Sequence, residues 1–160
     1  MSPQPALFTI LDKVVAAMRA LSGYTAPTGG GGVVVFDGPI SASRDAITTY
    51  VCVGWNAQGD QAGTLTTGPW AFGSRADRLE EGTFDVTVIG TTGDDDPSRC
   101  RATVKAVVAD LTASVYGLSD ASFAGYWCQV QAFDLTQYQS NAGLTVQATI
   151  TFSYRVQQVG

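Results

Sequence analysis

The stretch Leu144-Thr145-Val146-Gln147-Ala148-Thr149-Ile150-Thr151-Phe152-Ser153-Tyr154-Arg155-Val156 decides the fold. Apolar and polar residues alternate without a break, placing Leu144, Val146, Ala148, Ile150, Phe152, Tyr154 and Val156 on one side. A period of two over that length is a strand with one face in a core and one polar face. At ~3.3 Å per residue the run spans about 40 Å. That exceeds the usual strand length, so one end is expected to project beyond the domain or to pair with a neighbour.

Residues 126–135 predict the strand before it, with Cys128, Val130 and Ala132 on one side and Trp127, Gln129, Gln131 and Phe133 on the other. A loop over 136–143 joins the two, which should run antiparallel. Residues 83–92 predict a third strand, in which Phe84, Val86 and Val88 alternate with Asp85, Thr87 and Ile89. A helix is expected over 97–116. Pro97 suits its first position, Asp96 its N-cap and Gly117 its end, and Cys100, Val104, Val107, Val108, Leu111 and Val115 form its apolar stripe. This strand–helix–strand passage predicts parallel strands joined by a right-handed crossover.

Nearer the N-terminus, Leu7, Ile10, Leu11, Val14, Val15, Met18 and Leu21 mark one face of a helix over 5–21. Its other face carries Ala16, Ala17 and Ala20, weakly polar residues that suit a second contact. A Gly-rich flexible loop follows over 25–32. Val33 to Phe36 and residues 47–55 read as strands, 56–68 as a loop or hairpin tip, and 70–74 as a short strand. Arg75 to Gly82, with Glu80 and Glu81, reads as a charged, solvated connection. The expectation is a single α+β domain over 1–160. It has a mixed, mostly antiparallel sheet, two helices on one face, and the order α-β-β-(β)-β-α-β-β.

Composition narrows the chemistry. The chain has 160 residues, 45% hydrophobic but only 14% charged, with net charge −5 and no histidine. The usual charged share is about 25%, so much of the surface is uncharged and suited to assembly rather than to a lone monomer. Without histidine there is no Ser-His-Asp triad and no commonplace zinc site. Cys52, Cys100 and Cys128 form no CxxC pair and read as reduced, mostly buried thiols. Asp94, Asp95 and Asp96 lack the alternating spacing of a calcium loop and read as helix capping. Gly29 to Gly32 precede no Gly-Lys-Ser/Thr. No basic cluster grips phosphate, no apolar run approaches a membrane span, and Met1-Ser2-Pro3 lacks a basic leader. The expectation is therefore no enzyme, no cofactor, no metal and no membrane. Trp55, Trp70, Phe72, Trp127 and Tyr138, near loops and strand ends, are the candidates for subunit contact or docking.

The order of these pieces resembles the tail terminator (tail completion, minor tail) proteins of long-tailed bacteriophages, in the form common among phages of actinobacteria. The resemblance rests on the N-terminal amphipathic helix, Phe36-Asp37-Gly38-Pro39, Val51-Cys52-Val53-Gly54 and Phe84-Asp85-Val86-Thr87-Val88 with its Gly93-Asp94-Asp95 turn. It continues in the helix bearing Arg99 and Arg101, in Phe123-Ala124-Gly125, and in the closing strand from Gly143-Leu144 to Tyr154-Arg155-Val156. It implies a virion protein, assembled in the host cytoplasm, that forms a ring, usually a hexamer, on the head-proximal end of the tail tube. Such a ring stops tube polymerisation and presents a surface to the head. Its implied partners are the tail tube protein and a head-completion or neck protein, with DNA passing through the lumen unbound. Asp60, Asp94, Asp95 and Asp96 are candidates for an acidic lumen or docking face. At least one of the loops 25–32, 56–68 and 136–143 is expected to become ordered only on docking. The alternatives are a tail tube or head-closure subunit and, more distantly, a small-ligand-binding domain with a pocket lined by Trp127, Phe133 or Tyr138.

Overall fold

In the computed structural model the chain runs α1 (Ala6–Arg19), β1 (Tyr24–Thr25), β2 (Val33–Asp37), β3 (Thr49–Val53), β4 (Gly63–Trp70), β5 (Arg78–Thr92), α2 (Pro97–Tyr116), β6 (Phe123–Ser140) and β7 (Gly143–Gln158). The structure describes residues 5–27, 32–40, 49–56, 63–70, 78–92, 96–140 and 143–158. One sheet collects the strands in the order β1-β2-β3-β5-β7-β6, with β4 also on β5. The long alternating run, β7, pairs antiparallel with β5 on one side and β6 on the other. β5 and β6 are thus parallel to each other, with β7 between them. β3 pairs with Val86 to Gly90 of β5 and β4 with Arg78 to Phe84, so these two lie end to end along β5. β1, β2 and β3 are mutually parallel, which makes the sheet mixed.

Both helices cover one face, as an α+β reading expects. Ile10, Val14 and Met18 of α1 and Cys100, Val104, Leu111 and Val115 of α2 share a core with Val51, Val86, Ile150, Phe152 and Tyr154. Each such side chain, fully buried, stabilises the fold by roughly 1.5–3 kcal/mol. α2 lies close against the sheet because Gly90 has no side chain: a Cβ there would fall 2.6 Å from Val104 Cγ2. Its N-terminus is built as expected, with Asp96 accepting from the Ser98 N–H at 3.0 Å and Pro97 opening the helix.

A smaller cluster, Val34, Phe36, Tyr50 and Cys52, lies on the opposite face, with Trp55 half-buried against it. Part of the polar side of β7, Thr145 and Thr149, is buried there too. Thr149 meets Thr87 at 3.2 Å, and Thr151 donates to Asp85 at 2.6 Å. Paired hydroxyls and a carboxylate satisfy one another, so this face tolerates burial without apolar residues.

Four expectations need correction. Residues 136–143 are no loop: β6 continues to Ser140, which pairs with Gly143, so only 141–142 lie between the strands. Thr136 and Tyr138 favour the extended state, and pairing with β7 carries the polar residues between them along. Arg78 to Gly82 is the first part of β5 rather than a solvated connection, and Glu80 is fully buried. Three hydrogen-bond donors converge on its carboxylate and replace its water. Residues 63–70 form β4 where a loop was expected up to 68; Thr64, Thr66 and Thr67 suit a pleat, and β5 offers the pairing edge. The proposed short strand over 70–74 meets this structure only at Trp70, and 71–74 lie outside the described residues. Finally, β6 does not alternate evenly. Val130 pairs with Phe152 and Ala132 with Thr151, so a bulge at Gln131 interrupts the period. Phe133, opposite Ile150, consequently joins Cys128 and Val130 on the helix-covered face, and Ala132 changes sides.

Candidate functional site

The sheet has two unlike edges. At one, β1 is two residues long and ends opposite Val34. The next carbonyl, that of Val35, is taken by the Arg19 guanidinium, whose Nη2 and Nε donate at 2.9 and 3.2 Å. A short edge strand and a charged side chain over the backbone both discourage further pairing.

The other edge is β6, 18 residues long. Its one charged residue is Asp134, and it holds no proline or lysine. Ala124 to Gln139 is exposed almost throughout, on both faces, because the sheet extends past the cover of α2. Among the described residues no strand pairs with its outer side. Val130, Phe133 and Leu135 are exposed on the helix side. On the reverse side, by register, are Trp127, opposite Arg155, and Tyr138, opposite Thr145. Trp127 is 50% exposed and Phe133 51%. Tyr116, at the end of α2, is exposed nearby and accepts from the Val130 N–H at 3.3 Å. Such a long edge, with one charge and several large apolar side chains, is an aggregation hazard unless another chain covers it.

Between α2 and β6 runs an open groove of about 430 Å³. Its apolar lining includes Val104, Val108, Phe133 and Leu135, with Arg101 and Lys105 on the helix side. Arg101 reaches across it to donate to Gln137 Oε1 at 2.8 Å.

Trp127 and Tyr138 are therefore exposed, as a contact role requires; both lie on the edge strand β6, Tyr138 close to its end and Trp127 within it. They also lie on the opposite face from Phe133, so the three do not line one pocket. Trp55 is half-buried in the smaller cluster. Trp70 belongs to β4, but its side chain lies outside the described set, as do Phe72, Asp60, Asp94 and Asp95. Asp96 is occupied as a helix cap and an ion pair to Arg99 at 3.6 Å. Val130, Leu135, Tyr116 and Phe8 were missed as contact candidates. The signals were there: a single charge across 123–140, and a phenylalanine at position 8, off the apolar stripe of α1.

Little at these surfaces is reactive. Cys52 and Cys100 are buried free thiols and Cys128 is half-buried. Burial pushes the Cys52 thiol up to about 12 and raises that of Cys128 as well. Thiolate, the reactive form, is scarce there at neutral pH. Among the described residues no cluster of histidine, cysteine and carboxylate side chains has the makings of a metal site. No described helix is long and apolar enough to cross a membrane. No family model matches the chain, and no curated protein matches it.

Proposed function

We propose that this chain is a structural virion protein, a tail terminator whose copies close into a ring, a hexamer, on the head-proximal end of a phage tail tube. The observation that carries the reading is β6: a long edge strand with a single charge, Asp134, exposed on both faces, in a fold whose other edge is blocked. A subunit with one adhesive flank and one guarded flank makes heterologous contacts, which close into a ring when the rotation permits. The ring ends the tube by offering the tube one surface and the head another. Its net charge of −5 lets DNA pass without adhering, since like charges repel phosphate. Asp60, Asp94 and Asp95 remain the candidates for lining the lumen. In this reading the protein is a partner of tube and neck proteins and not an enzyme.

A tube or head-closure subunit would use the same edge. Native mass spectrometry and negative-stain imaging of the purified protein separate these readings. A terminator gives discrete single rings that cap tube ends when mixed with tube protein. Open-ended tubes from the protein alone identify a tube subunit, and a monomer at all concentrations overturns the proposal.

A further inference from the structure

The exposed large apolar side chains of the described residues fall into two groups. Tyr116, Trp127, Val130, Phe133, Leu135 and Tyr138 gather around β6 and the end of α2. Phe8 stands apart on α1, 60% exposed. Asp12, also exposed, follows it one turn later on the same helix face. α1 packs on β1, β2, β3 and β5 and against α2, whereas the groove lies beyond α2, at the β6 edge of the sheet. Phe8 does not line the groove, so knob and groove are different surfaces of one molecule.

We infer that the groove between α2 and β6 receives Phe8 of a second copy of this chain, with Asp12 of that copy set against Lys105 and Arg101. Size and charge both agree. A cavity on the order of 150 Å³ accepts a benzene ring, and this groove offers about 430 Å³. Its lining sets apolar Val104, Val108, Phe133 and Leu135 beside the cations Arg101 and Lys105, partners in kind for a ring and a carboxylate. Beyond Asp12 the same helix face carries Ala16 and Ala20, both exposed and small enough for close approach to the neighbour. A knob and a socket on two different surfaces permit a head-to-tail contact, the kind that closes a ring. This contact rests on the ring reading and specifies how neighbouring subunits join.

The test is sedimentation velocity and native mass spectrometry on the wild type and on surface variants whose folding is checked by circular dichroism. Phe8→Ser should raise the concentration needed for assembly at least tenfold. Asp12→Lys and Lys105→Glu should each weaken assembly, and the two together should restore it. A Phe8→Cys/Leu135→Cys double variant, unlike the wild type, should give a disulfide ladder on oxidation that ends at the ring number. A wild-type ring that survives Phe8→Ser unchanged and gives no such ladder overturns this contact and leaves the ring intact. A wild type that never assembles overturns the ring reading and this contact with it.

Discussion

Tyr154 donates its hydroxyl to the Glu80 carboxylate at 2.7 Å, beneath the first turn of α1. The same carboxylate accepts the Ala6 and Leu7 N–H groups at 2.8 and 3.0 Å. The N-cap residue of α1, Pro5, offers no side-chain hydrogen bond, and the first turn holds no acidic residue. Glu80 on β5 therefore caps α1 from the sheet and places a negative charge at its positive end. The first helix is thereby tied to the central strands.

Removing this cap should loosen the whole N-terminal layer. Glu80→Ala takes the acceptor from the buried Ala6 amide, the half-buried Leu7 amide and the buried Tyr154 hydroxyl and should cost about 3 kcal/mol or more. Tyr154→Phe removes a single donor and should cost about 1–2 kcal/mol. Urea unfolding of both variants measures the difference; equal, negligible losses would mean the cap is dispensable.

Close approach of α2 to the sheet at Gly90 gives a second expectation. Gly90→Ala drives a methyl into Val104 and should destabilise by ~1–3 kcal/mol. Adding Val104→Ala relieves the clash, so the double variant should lose less than the sum of the two single changes. Thermal melts of the four proteins make the cycle.

Stability should decline on the alkaline side. Burial raises the Cys52 thiol from its ordinary 9.0 to about 12. Burial likewise raises the Tyr24, Tyr126 and Tyr154 hydroxyls above their ordinary 10.0, helped by acidic neighbours at Tyr24 and Tyr154. These groups hold their protons more tightly when folded. Their contribution is complete below pH 9 and falls as pH rises and the unfolded chain ionises first. The urea midpoint should be flat between pH 7 and 8.5 and drop by pH 11. Cys52→Ala should delay the onset of that drop.

Folding and assembly should separate at β6. Trp127→Ser and Tyr138→Ser alter exposed side chains and should shift unfolding by less than about 1 kcal/mol. If β6 is a contact surface, the same changes should weaken ring formation at least tenfold. A large loss of stability without loss of assembly would place these residues in the fold and not at the interface.

The helices and the spine of the sheet were legible in the sequence. Their signals are local: the stripe from Cys100 to Val115, the cap Asp96-Pro97, and the unbroken alternation of β7. Loops were read where residues are polar, and there the reading failed. Gln137 and Gln139 look like loop residues because they are polar, yet β7 supplies a pairing partner for each, Val146 and Leu144. Glu80 looked solvated because its burial depends on an amide pair 73 and 74 residues away.

The candidate surface divides in the same way. The scarcity of charge was readable in the sequence, and Trp127 and Tyr138 were picked out there as contact candidates; the structure exposes both. Which edge of the sheet stays open was not readable, since it depends on β6 taking the outer place in the sheet while Arg19 covers the Val35 carbonyl at the opposite edge. The bulge at Gln131, too, exists only in the pairing of β6 with β7, and it turns Phe133 into the groove. Periodicity is a property of neighbours along the chain and survives in the bare sequence. Edges, bulges and buried carboxylates are properties of partners far along the chain, and they exist only once those partners meet.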